Sequence, residues 1–117
     1  MNKIIGKIKN IESSDNISLV EIETEIGNMC AVVVETPQTA TYLKIGEEVY
    51  VLFKETEVSV GKNVSGMLSL RNKISCSVER IEKGRILTRL TLKCRGKLIR
   101  SIITTKSAEK MGITVGR

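Results

Sequence analysis

The chain has 117 residues, of which 41% are hydrophobic, so it can bury one modest core or two very small ones that support each other. No apolar run approaches the ~18 residues of a membrane helix, and no apolar secretory segment opens the chain. We therefore expect a cytoplasmic protein with no membrane partner. The sequence contains no histidine, the commonest general base, and no pair of acidic residues typical of catalysis, so we expect no enzyme.

Three cysteines, Cys30, Cys76 and Cys94, are odd in number and show no CxxC spacing. Neither a disulfide framework nor a zinc site is indicated. We interpret all three as small buried side chains.

The charge is divided unevenly along the chain. Residues 1–61 carry five lysines and ten acidic residues, a net charge of −5. Residues 62–117 carry fourteen lysines and arginines and three acidic residues, a net charge of +11. The two halves therefore differ in electrostatic character.

An internal repeat appears when the sequence is shifted on itself by 70 positions without a gap. Asn2-Lys3-Ile4 then falls on Asn72-Lys73-Ile74, and Gly46 falls on Gly116. Aliphatic residues meet aliphatic residues between these points. We expect two domains of the same kind, residues 1–63 and 64–117.

The first repeat reads as three strands, a short helix and a fourth strand. Thr36 and Pro37 are a favourable N-cap and first helical residue. Glu47–Val60, with alternate apolar residues, predicts the fourth strand.

The second repeat follows the same order. We expect a strand over Ile74–Ile81, then a half-buried strand with Ile86 and Leu90 on the buried face, and a hairpin turn at Arg95-Gly96-Lys97. A third strand, Leu98–Thr104, and a short helix ending near Gly112 follow. Residue 47 corresponds to residue 117, so the closing strand has no counterpart here.

Short strands with one small helix in each repeat indicate a mainly β fold of tandem small barrels of the oligonucleotide/oligosaccharide-binding (OB) type. A barrel that lacks a strand leaves an edge to be covered. We therefore expect exchanged strands and a homo-oligomer, a dimer or a multiple of one.

The alternating cations Arg85, Arg89, Lys93 and Arg95 are of the kind that neutralises phosphates. Residues 62–117 contain no Phe, Tyr or Trp on which bases could stack, so a nucleic-acid partner is not favoured. Glu23 corresponds to Lys93 in the repeat. Opposite charges at equivalent positions fit two repeats, or two chains, packed face to face, and they equally fit two solvated faces.

Four polar side chains of the second repeat could form a receptor for a small oxyanion. Ser69 and Arg71 precede its first strand, and Thr104 and Ser107 lie at the predicted helix N-terminus. A guanidinium, hydroxyls and free backbone N–H groups all donate hydrogen bonds to anions. The alternative is that Thr104 and Ser107 only cap the helix.

Three motifs resemble those of the Mop family, small molybdate-binding domains also called TOBE (transport-associated OB) domains. Ser69-Leu70-Arg71-Asn72 resembles the family's S-A-R-N, with Leu70 in place of Ala. Residues 103–109 resemble its I-T-x-x-S-A-E, and residues 111–116 its L-G-L-x-x-G. The likeness covers both repeats and is similar to a tandem di-Mop arrangement, although the S-A-R-N copy comes second here.

The resemblance implies a function and a set of ligands. It implies that molybdate or tungstate is bound, for storage or homeostasis, with the metal present only as the oxyanion. The oxyanion-binding residues it implies are Ser69, Arg71, Thr104, Ser107 and Lys54. The alternative is a regulatory or interaction module that acts with a separate transport ATPase, transcription regulator or nucleic acid.

Overall fold

A computed structural model describes residues 1–62 and 67–116. Within these residues the protein has seven strands, one α-helix and a 3-10 turn at Glu55–Glu57. The elements are β1 (Asn2–Ser14), β2 (Ile17–Thr24), β3 (Gly27–Val33), β4 (Glu48–Phe53), β5 (Ser77–Lys83), β6 (Leu87–Cys94), β7 (Lys97–Thr104) and α1 (Thr105–Met111).

The first sheet has four strands in the order β3-β2-β1-β4. β2 is central and pairs antiparallel with both β1 and β3. Its alternate residues are buried, as expected for a strand with one face on a core. That core consists of Ile8, Val20, Ile22, Ala40 and Leu43.

The second sheet has three antiparallel strands in the order β5-β6-β7. Its core consists of Val78, Leu90 and Leu92, with partly buried apolar side chains packed around them. The β6–β7 turn uses Arg95 and Gly96 at φ of 49° and 81°. Positive φ at both central residues is the geometry of the tight hairpin turn that fits the twist of antiparallel strands.

The structure confirms the repeat, because irregular features recur 70 residues apart. The β1–β2 register shifts after Ile8, and the β5–β6 register shifts after Val78. The amide of Gly46 donates to the carbonyl of Ile8 at 2.7 Å, and the amide of Gly116 donates to the carbonyl of Val78 at 2.7 Å. A bulge and its closing hydrogen bond are specific enough to mark two copies of one unit.

The compact units of the chain interleave segments of the two repeats. One unit comprises Met1–Asn2, Leu52–Leu68 and Ile74–Arg117, and the other comprises Lys3–Val51 and Ser69–Lys73. The expected boundary between residues 63 and 64 lies outside the described residues, so the division into 1–63 and 64–117 stays a prediction.

Some expected elements differ from those observed. The helix predicted at Thr36-Pro37 is a hydrogen-bonded turn, in which the carbonyl of Thr36 accepts from the amides of Thr39 and Ala40. The Thr39 hydroxyl also bonds the Thr36 backbone, and such local bonds compete with a helix. β4 ends at Phe53 rather than at Val60, and β5 runs over Ser77–Lys83 rather than Ile74–Ile81. Ile86 precedes β6 and is exposed rather than buried.

The interpretation of all three cysteines as buried, unpaired side chains is wrong. Cys76 and Cys94 form a disulfide. Ser77 pairs with Lys93 across β5 and β6, and this register places the flanking cysteines opposite each other. Cys94 is buried, whereas Cys30 is a half-buried free thiol. Because the pairing arises from strand register, no sequence motif indicates it.

Residues 1–62 and 67–116 are thus mainly β, with two sheets and one short helix. In the part of the chain that the structure describes, no helix is long and apolar enough to cross a membrane. Exchange of strands between chains, and the oligomer, stay predictions.

Replacing Leu90, which is fully buried, tests the second core. Leu90→Ala should lower the free energy of unfolding by roughly 2–5 kcal/mol, because it removes buried apolar area and leaves a cavity. Leu87→Ala, at a side chain 53% exposed on the same strand, should change it by less than about 0.5 kcal/mol. Chemical denaturation measures both, and equal losses would contradict this core.

Candidate functional site

Residues 69–73 belong to the same compact unit as the first sheet. The side-chain amide of Asn72 forms two hydrogen bonds with the backbone of Cys30, in strand β3. The Cys30 amide donates to Asn72 Oδ1 at 2.7 Å, and Asn72 Nδ2 donates to the Cys30 carbonyl at 2.9 Å. This paired contact, which we call the Asn72 clamp, fixes the segment at the edge of β3.

Arg71 immediately precedes the clamp and is exposed. Its Nη2 donates to the Cys30 sulfur at 3.6 Å. Among residues 1–62 and 67–116, none of the ion pairs involves Arg71. Most of the N–H donors of the guanidinium are therefore available to another group. Ser69, also exposed, lies two residues before it.

Thr104 and Ser107 lie together at the start of α1 in the other compact unit. Thr104 is the N-cap, and its Oγ1 accepts from the Ser107 amide at 3.1 Å. The Thr104 hydroxyl donates to Ser107 Oγ at 2.8 Å. Thr104 thus caps the helix, and its cap partner is the Ser107 amide. The helix ends at Gly112, whose φ of 61° suits a residue without a side chain.

Lys54 follows β4 and lines a shallow depression with Thr56, Arg89 and Ile102. Glu55, beside it, accepts from Arg89 Nε at 2.9 Å and from the Met1 amine at 3.2 Å. The hydrogen bond from Arg89 is the main cause that holds the pKa of Glu55 below its usual value of 4.5. The depression therefore contains three cations, and two of them, the Arg89 guanidinium and the Met1 amine, are already paired with Glu55.

The structure brings Thr104 and Ser107 together, and the predicted site residues belong to two different compact units. Ser69 and Arg71 share one unit, and Thr104, Ser107 and Lys54 belong to the other. No three His, Cys, Asp or Glu side chains of the described ranges form a group that could hold a metal ion.

Sequence reasoning missed the role of Asn72 and its partner Cys30. Asn2 and Asn72 are equivalent in the repeat, as are Cys30 and Arg100, but these residue types do not indicate that the members of each pair are in contact. The equivalent contact exists. Asn2 Nδ2 donates to the Arg100 carbonyl at 2.8 Å, and the Arg100 amide donates to Asn2 Oδ1 at 2.8 Å.

The fold is that of a tandem OB-like protein. The chain belongs to the TOBE domain family, whose model matches residues 1–60 and 68–117. It is also similar to a crystal structure of the cytoplasmic molybdate-binding protein ModG with molybdate bound, at 26% identity and a TM-score of 0.89. The match covers 98% of this chain and 84% of that one. A search of curated protein sequences found no match.

The ion pair of Glu55 predicts a stability that depends on pH. Because its folded pKa is lowered, Glu55 contributes stability above its usual pKa of 4.5 and loses it as the pH falls through the folded value. Glu55→Gln should therefore reduce the free energy of unfolding at pH 6 more than at pH 2. Urea titrations at both pH values measure this, with Glu79→Gln, outside the ion pairs, as the control. A loss that is the same at both pH values would contradict the account.

Proposed function

We propose that this protein binds molybdate or tungstate in the cytoplasm, for storage or homeostasis of the oxyanion, and is not an enzyme. The observation that carries the proposal is Arg71. It is an exposed guanidinium with no carboxylate partner among the described residues, and the neighbouring Asn72 clamp fixes its backbone on strand β3.

The chemistry of the ligand fits these donors. Molybdate is a tetrahedral dianion that only accepts hydrogen bonds. A guanidinium offers several N–H donors in a fixed planar fork, and a serine hydroxyl adds another. Arg71 and Ser69 supply both kinds of donor within three residues, next to no acidic side chain in sequence.

The comparisons support the same ligand. The chain belongs to the TOBE domain family, and the ModG structure that it resembles contains molybdate. We therefore propose Ser69, Arg71, Thr104, Ser107 and Lys54 as the oxyanion-binding residues. Thr104 and Ser107 would have to contribute donors while also capping α1.

We further propose one site of this type per chain. Positions 1, 34 and 37 of the first repeat correspond to Arg71, Thr104 and Ser107, and they hold Met, Val and Pro. None of these side chains donates a hydrogen bond, and proline also lacks the backbone N–H. The first repeat has therefore lost the donors of the second.

A second candidate function is an interaction module that works with a separate chain. The observation in its favour is the charge difference of −5 against +11 between the halves, since oppositely charged faces attract complementary partners. A homo-oligomer is part of either proposal, because among the described residues the second sheet has three strands where the first has four.

Removing the guanidinium tests the function. Arg71→Ala should weaken molybdate binding about tenfold or more, because a hydrogen bond to a charged group contributes about 1.5–3 kcal/mol. Arg85→Ala removes another exposed arginine and should bind like the unaltered protein. Isothermal titration calorimetry with sodium molybdate, and with sodium sulfate for comparison, measures both.

Two results would contradict the proposal. One is a calorimetric titration of the unaltered protein that shows no binding of molybdate or tungstate at millimolar concentration. Alternatively, Arg71→Ala and Arg85→Ala could weaken binding equally, which would show that only net positive charge attracts the anion.

A further inference from the structure

We propose that Asn72 is a positioning residue for the oxyanion site, which acts by holding Arg71 in a binding-ready place at the edge of β3. The inference rests on the proposed function, since it assigns a task to a residue beside Arg71. It adds a residue that touches no oxyanion itself.

The geometry of the clamp carries the inference. One carboxamide bonds both the N–H and the C=O of a single residue, Cys30, at 2.7 and 2.9 Å. Two bonds to the backbone of one residue fix the direction of the Asn72 side chain as well as its distance. Arg71, the residue before Asn72, contacts the same Cys30, with 3.6 Å between its Nη2 and the Cys30 sulfur. Both Arg71 and Asn72 are therefore in contact with Cys30.

β3 can accept this contact because it is the outer strand of its sheet. The edge of an outer strand carries unpaired N–H and C=O groups. The carboxamide of Asn72 presents one donor and one acceptor, as a peptide unit does, and so pairs with both groups at once.

The other compact unit provides an internal comparison. Asn2 makes the same two bonds to Arg100, 70 residues from Asn72 and Cys30. The residue before Asn2 is Met1, which has no guanidinium. The clamp is therefore present in both units, but only at Asn72 is the asparagine preceded by an arginine.

The effect on affinity follows from the flexibility of arginine. A long side chain that is already held near its bound position loses less conformational freedom when the anion binds. Removing the clamp should return that freedom, and weaken molybdate binding about two- to tenfold.

The test compares Asn72→Ala with Asn2→Ala in the full chain, using calorimetry with sodium molybdate. Asn2 is 6% exposed, whereas Asn72 is exposed, so Asn2→Ala should lower the free energy of unfolding at least as much. Of the two variants, only Asn72→Ala should bind molybdate more weakly. The loss of affinity would then not follow the loss of stability, whereas a merely structural role predicts that the two losses go together.

Two further measurements identify the route. In a double-mutant cycle, Asn72→Ala should cost no further affinity once Arg71 is alanine, because the clamp acts through that side chain. Amide hydrogen exchange followed by NMR should become faster at Cys30 in Asn72→Ala, and at Arg100 in Asn2→Ala.

The outcomes are distinct. If the unaltered protein binds molybdate and Asn72→Ala binds equally well, the positioning role is overturned while the proposed function stands. Equal losses of affinity in Asn72→Ala and Asn2→Ala, or additive losses in the cycle, also overturn it. Unchanged exchange at Cys30 in Asn72→Ala overturns the clamp itself. If the unaltered protein binds no molybdate, both proposals fail.

Discussion

The need of an outer β-strand to pair its backbone polar groups is the constraint on which this structure depends. A three-stranded meander leaves N–H and C=O groups unpaired along its edges. Burying these groups without a partner is unfavourable, and leaving them exposed invites pairing with another chain. In each compact unit the side chain of an asparagine pairs with some of these groups: Asn72 bonds the backbone of Cys30, and Asn2 bonds the backbone of Arg100. The start of each repeat is thereby attached to the third strand of the other.

This attachment explains why the compact units differ from the linear repeats. Residues 69–73 precede the second repeat's first strand but belong to the unit of the first sheet, and residues 1–2 belong to the unit of the second. A site residue is therefore surrounded by a different part of the chain from the one that its sequence position suggests. Arg71 next to Cys30, 41 residues away, is the clearest case.

The sequence predicted much of the fold because its signals are local or repeated. Alternating burial along β6, the turn at Arg95-Gly96 and the helix end at Gly112 each follow from a few adjacent residues. The Cys76–Cys94 disulfide and the Asn72 clamp could not be predicted in that way. Both depend on which strands become neighbours, and the partner of Asn72 is a backbone unit that leaves no mark on residue type.

The candidate site likewise has one part that could be predicted from adjacent residues and one part that depends on tertiary contacts. The cap formed by Thr104 and Ser107 could be predicted, because its residues are three apart on one helix start. Arg71 has no carboxylate partner in the described ranges. This could not be predicted, since it depends on which residues the fold places beside Arg71. The candidate residues were predicted from their local chemistry, whereas tertiary packing determines which of them have donors available to a ligand.

Location of the bound metal tests the central claim most directly. Crystals grown with sodium molybdate and measured at the molybdenum absorption edge give an anomalous peak at the bound oxyanion. We expect the peak at a position where the oxygens of the oxyanion lie within hydrogen-bonding distance of the Arg71 guanidinium. A well-occupied peak on other residues, with Arg71 still in contact only with Cys30, would contradict it.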